Sequence, residues 1–291
     1  MNYLVEDEVK LYKERLIEVF KSFISFCAEN NLKWCCCGGT MIGVVRHQDI
    51  IPWDDDIDIF MPREDYNRIL SMSSELRKKG YDVVSIRNNE CGPIPAKFYD
   101  CNTTLWEIKE IPFSYGVYID LFPLDQTDDT QRTFKHDFRK FYIRETLYQL
   151  SLIKFSWDDF MTRVREGDRN FALKSILSIF VPGFLQKNIR KSILKLDDRL
   201  NKGVGTHYGC YHGDYWEKDY YDKMWFDDMV VMPFHGFEVF MPKGYDNYLR
   251  RVYGNYMQLP PKEKQITHHY HYYMNLERHY TIEEIKRMNS L

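Results

Sequence analysis

The 291-residue chain lacks a run that could span a bilayer, the pattern of a signal peptide and the basic excess of a nucleic-acid binder. Its opening stretch, MNYLVEDEVKLYKERL, is charged throughout and has no apolar core of the kind a signal peptide needs, so a cytoplasmic protein is expected. The longest apolar run, Phe171 to Leu185, is interrupted by Lys174, Pro182 and Gly183 and is too short to span a membrane. No charge of one sign dominates: 40 basic against 43 acidic residues leave a net charge of −3, so no nucleic-acid partner is expected. A Gly-x-Ser-x-Gly elbow and a Walker loop are both absent, which argues against α/β-hydrolase and P-loop chemistry. The seven cysteines are odd in number and contain no C-x-x-C pair, so neither a disulfide framework nor a zinc ribbon fits. Neighbours in a strand face opposite ways, so Cys35, Cys36 and Cys37 read as small buried hydrophobes rather than one metal site. His207, Cys210 and His212 match no zinc spacing, and His268, His269 and His271 read as part of an aromatic surface.

What the chain does have is a clear order of elements. Val5, Val9, Tyr12, Leu16, Val19, Phe23 and Phe26 recur at alternating steps of four and three, which predicts a helix over 5–29. Leu32 to Cys37 predicts a short strand running into Gly38-Gly39, with Thr40 placed to cap a helix through about His47. Ile57, Ile59 and Met61 alternate with Asp56, Asp58 and Phe60, a strand pattern followed by a helix over 63–79 that Gly80 ends. Further strands are expected at 81–86, 94–100, 103–109 and 116–122. Long helical patterns follow at 131–155 and 186–201, then a hairpin around His235-Gly236 and a helix near 245–253. The segment FALKSILSIFVPGFLQKNIRKSILK reads first as a helix packed on its own domain and second as a membrane-surface element that would help reach a lipid-linked acceptor.

The chemistry concentrates in Asp54-Asp55-Asp56-Ile57-Asp58, four carboxylates in five residues. On a strand, Asp56 and Asp58 share one face and repel each other unless a cation lies between them. Hard oxygen donors favour magnesium or manganese, which keep waters and bind substrate phosphates as well. An acidic surface loop is the plainer alternative; it suits Asp54 and Asp55 better than the alternating pair. The glycine turn Gly38-Gly39-Thr40 opens a helix just before, where backbone N–H groups can approach a phosphate. In Val117-Tyr118-Ile119-Asp120-Leu121-Phe122, Asp120 interrupts an apolar strand and calls for a metal or a basic partner.

Strand, Gly-Gly turn, short helix, D-x-D strand and a later strand acid resemble the order in nucleotidyltransferases of the DNA polymerase β-like superfamily. The run GGTMIGVVRHQDIIPWDDDIDIFMPREDY resembles the signature of the LicD family, which transfers phosphocholine and includes the fukutin-type phosphoribitol transferases. GVYIDLFPLD at 116–125 and FHGFEVFMPKGYDNYLRRVYGNYMQLPP at 234–261 agree in family order. The chain departs after the Pro-Pro pair, where Lys264-Gln265, then His268 and His269, replace the arginine and histidine often found there.

The resemblance implies an α+β fold: a polymerase β-like nucleotidyltransferase core with a mixed sheet, flanking helices and a helical insertion. The change of character at about 128, in a segment no family motif matches, divides the chain into a catalytic core (1–127), the insertion (128–202) and a C-terminal part completing core and cleft (203–291). The resemblance implies transfer of phosphocholine from CDP-choline to a hydroxyl of a cell-surface glycan, lipid-linked in one version, with CMP leaving. Phosphoethanolamine, phosphoglycerol or phosphoribitol donors, and a non-catalytic binding protein, stand as alternatives. The metal ligands carry over to Asp56, Asp58 and Asp120, with Asp54 near the metal or its waters and one carboxylate of the cluster as general base. Gly38, Gly39 and Thr40 would cradle the donor phosphates, and Arg46 and Lys97 would contact phosphate or substrate. Choline recognition calls for ring faces; Trp53, Trp106, Tyr115, Tyr118 and Trp225 are candidates, each also readable as core. A cytoplasmic location is the expectation, with peripheral association at the inner face of the membrane as its variant.

Overall fold

A computed structural model of the chain describes residues 6–128, 130–200, 203–267 and 271–288. His268 and His269 lie outside the described residues. Helix α1 (Glu6–Glu29) leads into β1 (Cys35–Cys36), α2 (Gly38–His47), β2 (Asp58–Pro62), α3 (Arg63–Ser71) and α4 (Ser73–Lys78). Strands β3 (Tyr81–Val84), β4 (Ala96–Asp100), β5 (Thr104–Trp106) and β6 (Tyr118–Thr127) follow. Four helices come next: α5 (Gln131–Leu152), α6 (Trp157–Arg165), α7 (Arg169–Ser178) and α8 (Gln186–Leu200). The chain returns through β7 (His207–Gly209), β8 (Tyr220–Asp222), the hairpin β9 (Met229–Phe234) and β10 (Phe237–Pro242), α9 (Tyr245–Tyr253), β11 (Tyr273–Asn275) and α10 (Ile282–Met288).

The main sheet is mixed and has seven strands, ordered β1-β2-β6-β4-β3, with β7 joining β6 and β8 joining β7. Strand β6 is central. It pairs in parallel with β2, antiparallel with β4, and through its last residues antiparallel with β7. One face buries Ile57, Ile59, Ile119 and Leu121 in the principal core, where Phe23 of α1 meets Phe98 of β4 edge to face at 5.5 Å. The opposite face of β6, carrying Tyr118, Asp120 and Phe122, opens into a cavity. The helical run α5–α8 has a separate core cluster built from Phe134, Phe138, Phe141 and Tyr148 of α5 with Ile193, Leu196 and Leu200 of α8. This architecture is α+β with a mixed sheet.

Several expected boundaries are corrected. Thr40 does not cap α2: the helix begins at Gly38, and the Thr40 hydroxyl instead accepts the backbone N–H of Asp58 at 2.7 Å. The acidic strand begins at Asp58, so Asp56 lies on the extended approach to β2 rather than within the ladder. The helix expected over 63–79 breaks at Met72, which ends α3 and precedes α4. The strand expected over 32–37 shrinks to Cys35–Cys36, because only these residues meet Phe60 and Ile59 of β2. Cys35, Cys36 and Cys37 are all buried free thiols, and burial pushes each thiol above its ordinary range.

Candidate active site

Lys97, Asp120 and Asp58 stand in one row across three adjacent strands: Lys97 is the register partner of Asp120 on β4, and Asp58 its partner on β2. Cross-strand partners project to the same face, so the row puts one ammonium and two carboxylates side by side on the cavity floor. Asp56, Asp58, Lys97, Asp120 and Gly38 all line this cavity, whose volume is about 470 Å³. The basic partner that the apolar surroundings of Asp120 demanded is Lys97, whose Nζ donates to Asp120 Oδ1 at 2.9 Å. Both residues are 7% exposed, so the pair operates with little water to screen it.

The Lys97 ammonium also lies 3.4 Å from the ring centroid of Tyr118 and 5.5 Å from that of Tyr115. The Tyr118 hydroxyl donates to Glu107 Oε1 at 2.6 Å, and the Tyr115 hydroxyl donates to the other Glu107 oxygen. Burial, then the charges of Glu107 and Asp120, push the Tyr118 phenol well above its usual pKa and keep it a proton donor. Glu107 therefore fixes the two rings that hold the lysine.

The glycine pair has a steric explanation. Gly38 has φ +53°, and a Cβ there would fall 2.4 Å from Asp58 Oδ2; at Gly39 it would fall 2.8 Å from Asp54 Oδ2. The two carboxylates thus rest against the first turn of α2, where the helix dipole favours negative charge. Gly38 N–H donates to the Tyr248 hydroxyl at 3.1 Å, which ties this turn to α9. Gly38→Ala is expected to displace Asp58 and to lower stability by about 1–3 kcal/mol. Urea unfolding checks the stability loss; an unchanged midpoint would show that the turn tolerates a side chain.

Not every expected residue reaches the cavity. Gly39, Thr40 and Asp54 pack around the acidic strand without lining it. Arg46 donates to the Tyr256 carbonyl at 2.9 Å and its guanidinium lies 5.7 Å from the Trp53 ring centroid, so it braces α2 against the segment after α9. Among the ring candidates, Tyr115 and Tyr118 line the cavity, whereas Trp53, Trp106 and Trp225 do not. Trp106 is buried against Ile282 and Ile285 of α10.

Residues not singled out from the sequence complete the wall. Glu145 and Gln149 of α5, Phe171 and Lys174 of α7, and Asp214 and Tyr215 after β7 face the same cavity. Glu145 had a readable signal: it occupies a step of the Phe134, Phe138, Phe141, Tyr148 stripe where an apolar residue is expected. Burial, reinforced by the like charge of Asp214, pushes its carboxyl up to about 8. Burial likewise pushes Asp219 up to about 7, against hydrogen bonds from the Tyr221 hydroxyl and the Tyr215 N–H. In total the cavity carries seven acidic side chains and two lysines.

Residues 31–161 match the model of the family described as LicD/FKTN/FKRP, nucleotidyltransferase domain. The lipopolysaccharide cholinephosphotransferase LicD of Haemophilus influenzae is 28% identical over 256 residues, covering 87% of this chain and 92% of that protein. Uncharacterized proteins of Rickettsia prowazekii and Rickettsia typhi are 34% and 35% identical over 86 and 68 residues, covering 28% and 23% of this chain and 32% and 22% of their own lengths. The matched region contains α2, the acidic approach to β2, Lys97 and Asp120, and the similarity to the Haemophilus protein extends over most of the chain. The chain is thus similar to the LicD family, by a family model over residues 31–161 and by one relative over most of its length.

Proposed function

We propose that this protein transfers phosphocholine from CDP-choline to a hydroxyl of a cell-surface glycan and releases CMP, on a polymerase β-like nucleotidyltransferase core. The observation that carries the reading is the Lys97–Asp120–Asp58 row on the floor of an acidic, ring-lined cavity. The similarity to a lipopolysaccharide cholinephosphotransferase supports the choline group and the glycan acceptor.

The donor set suits a hard divalent cation, magnesium or manganese. Among the described residues no group of three or more His, Cys, Asp or Glu is gathered to hold an ion by itself. Magnesium does not need one, since it is commonly held by one or two carboxylates with substrate phosphates and waters completing the shell. Asp58 and Asp120, register partners on parallel strands, fit that requirement, with Asp56 beside them on the cavity wall. When bound, such an ion neutralises the diphosphate and stabilises the leaving CMP oxygen.

The chain's own residues supply the rest. Lys97, held by Asp120 and two rings, sets a fixed positive charge where the donor phosphates must lie. The acceptor oxygen forms a bond to the choline-bearing phosphorus as the bond from that phosphorus to CMP breaks. Its proton passes to a carboxylate of the Asp54–Asp58 cluster. A quaternary ammonium donates no hydrogen bond, so it must be held by charge and ring faces. The Tyr118 face is taken by Lys97, which leaves Glu145, Asp214 and Tyr215 on the cavity wall as the choline end; a bound cation there would draw the two raised carboxyls into their charged forms.

The test offers purified protein CDP-choline, CDP-ethanolamine, CDP-glycerol and CDP-ribitol in parallel with magnesium, and reads CMP by mass spectrometry. CMP is expected from CDP-choline and is lost with EDTA. Release from CDP-glycerol or CDP-ribitol alone would reassign the donor, and failure to bind any of the four would leave a non-catalytic protein.

A further inference from the structure

Helix α7 is built inside out. Its buried side consists of Ala172, Ser175 and Ser178, at 4%, 3% and 6% exposure, while Leu173 and Leu177 are 59% and 42% exposed. The same outward spacing continues past the helix to Phe180 and Phe184, which are 76% and 78% exposed. A helix packed on its own domain would turn its large apolar residues inward and its small ones outward. The expectation that this segment packs on its own domain holds for Ile193 of α8, which is buried, and is corrected for Leu173, Leu177, Phe180 and Phe184.

Charge identifies what the stripe faces. From residue 169 to 195 the sequence holds six basic residues (Arg169, Lys174, Lys187, Arg190, Lys191 and Lys195) and no acidic one, in a chain whose net charge is −3. Lys174, Lys187, Lys191 and Lys195 are exposed; of these, Lys187 has an exposed partner, Glu90, at 3.4 Å. Helix α6, packed against α7, repeats the outward apolar spacing with Trp157, Met161 and Val164. No helix among the described residues is long and apolar enough to cross a membrane. A symmetric contact between two copies would set the basic segment against itself, which like charges oppose. An anionic lipid surface satisfies both features, because it takes up apolar side chains at its boundary and attracts lysines around them.

We infer that α7 and the turn after it, residues 173–184, dock this protein on an anionic bilayer. Phe180 and Phe184 enter the interface and the surrounding lysines meet the lipid headgroups. Phe171 and Lys174, on the same helix, line the candidate active-site cavity, so docking brings its α7 wall to the lipid surface. Delivery of a lipid-linked glycan to that wall rests on the proposed transfer reaction; the docking does not.

The test is co-sedimentation of the full chain with vesicles of phosphatidylcholine alone and with about 30% phosphatidylglycerol. Binding to the anionic vesicles is expected to exceed that to neutral ones by at least about tenfold, and to weaken in 0.5 M salt. Phe180→Ser with Phe184→Ser should cut it by about tenfold, and Lys187→Glu with Lys191→Glu by a similar factor. Both pairs are on the surface, so circular dichroism and CMP release from soluble donor should be unchanged. Equal binding to both vesicle types, or full binding by the phenylalanine variant, would overturn the inference. So would a dimer in light scattering that this variant dissociates, since that assigns the stripe to a second copy. Vesicle binding is read without turnover, so a failed donor assay leaves it standing, and a failed vesicle assay leaves the donor result standing.

Discussion

Asp58→Asn is expected to reduce CMP formation from CDP-choline by at least about a thousandfold while the folded structure persists. The substitution keeps shape and volume and removes only the negative charge. The backbone N–H of residue 58 keeps its bond to the Thr40 hydroxyl, and the backbone carbonyl keeps accepting from Cys37 N–H at 3.0 Å. The side chain still fits against Gly38, where no Cβ competes for the space. What disappears is one of the two register-paired carboxylates that suit a cation binding the donor diphosphate. Melting temperature should therefore move by no more than about 3 °C, roughly the effect of one kcal/mol in a chain of this size. Asp120→Asn provides the contrast, because it also strips the counter-charge from buried Lys97 and should lower both activity and stability. If Asp58→Asn kept a tenth or more of the activity, the row could not be the reaction centre. The assay is CMP release at saturating magnesium, with thermal unfolding of the same preparations.

The pattern from which Asp58 and Asp120 were read is local, and local patterns came through well. Alternation marked the acidic strand because Ile59 and Met61 must face the core there. Asp120 stood out because an apolar strand cannot bury a carboxylate without a partner, and that partner is Lys97. The hairpin around His235-Gly236 and the α1 stripe were legible for the same reason: each depends on the nearest few residues. The Gly38-Gly39 turn was legible as a close approach, but what lies closest to it is Asp58 and Asp54.

Contacts made far along the chain were not legible. Thr40 has the chemistry of a helix cap, yet Asp58, 18 positions away, supplies a better donor. Arg46 resembles a phosphate ligand until the chain folds back and offers the Tyr256 carbonyl, 210 positions on. Glu145 and Asp214 meet only because α5 and the segment after β7 enclose one cavity. The mixture of apolar and basic residues in α7 was readable, but nothing nearby says which side of a short helix the protein covers. The sign of that amphipathicity is a tertiary fact, and here it runs opposite to the usual one.

The largest stability effect is expected at Arg63, which sequence gave no reason to single out. Its guanidinium is 4% exposed and forks two buried carboxylates. Nε and Nη2 each donate to Asp125 at 2.7 Å, and Nη1 and Nη2 donate to Asp197 at 3.1 and 2.9 Å. Asp197 also receives Arg87 and pairs with His212 Nε2 at 3.0 Å. The cluster ties α3 to β6 and both to α8, so it clamps the helical run onto the sheet. Arg63→Met leaves Asp125 and Asp197 buried with one cation fewer and should cost about 3–5 kcal/mol, or about 10 °C in melting temperature. The loss should depend on pH. Burial pushes Asp197 upward, but Arg63, His212 and Arg87 outweigh it and hold this carboxyl well below its ordinary 3.8. A depressed carboxylate contributes stability that is complete above its unfolded pKa and is lost as pH falls through the folded one. Without Arg63 the pKa values of Asp197 and Asp125 both rise, and protonation then relieves the uncompensated charge. The deficit of the variant should thus be largest near pH 7.5 and shrink toward pH 4.5, as read by urea unfolding at the two values. A deficit below about 1 kcal/mol at pH 7.5 would mean that Arg87 and His212 suffice to hold Asp197. A deficit that did not change with pH would place the damage in lost packing, for Arg63 also lies over the Tyr66 ring at 5.3 Å.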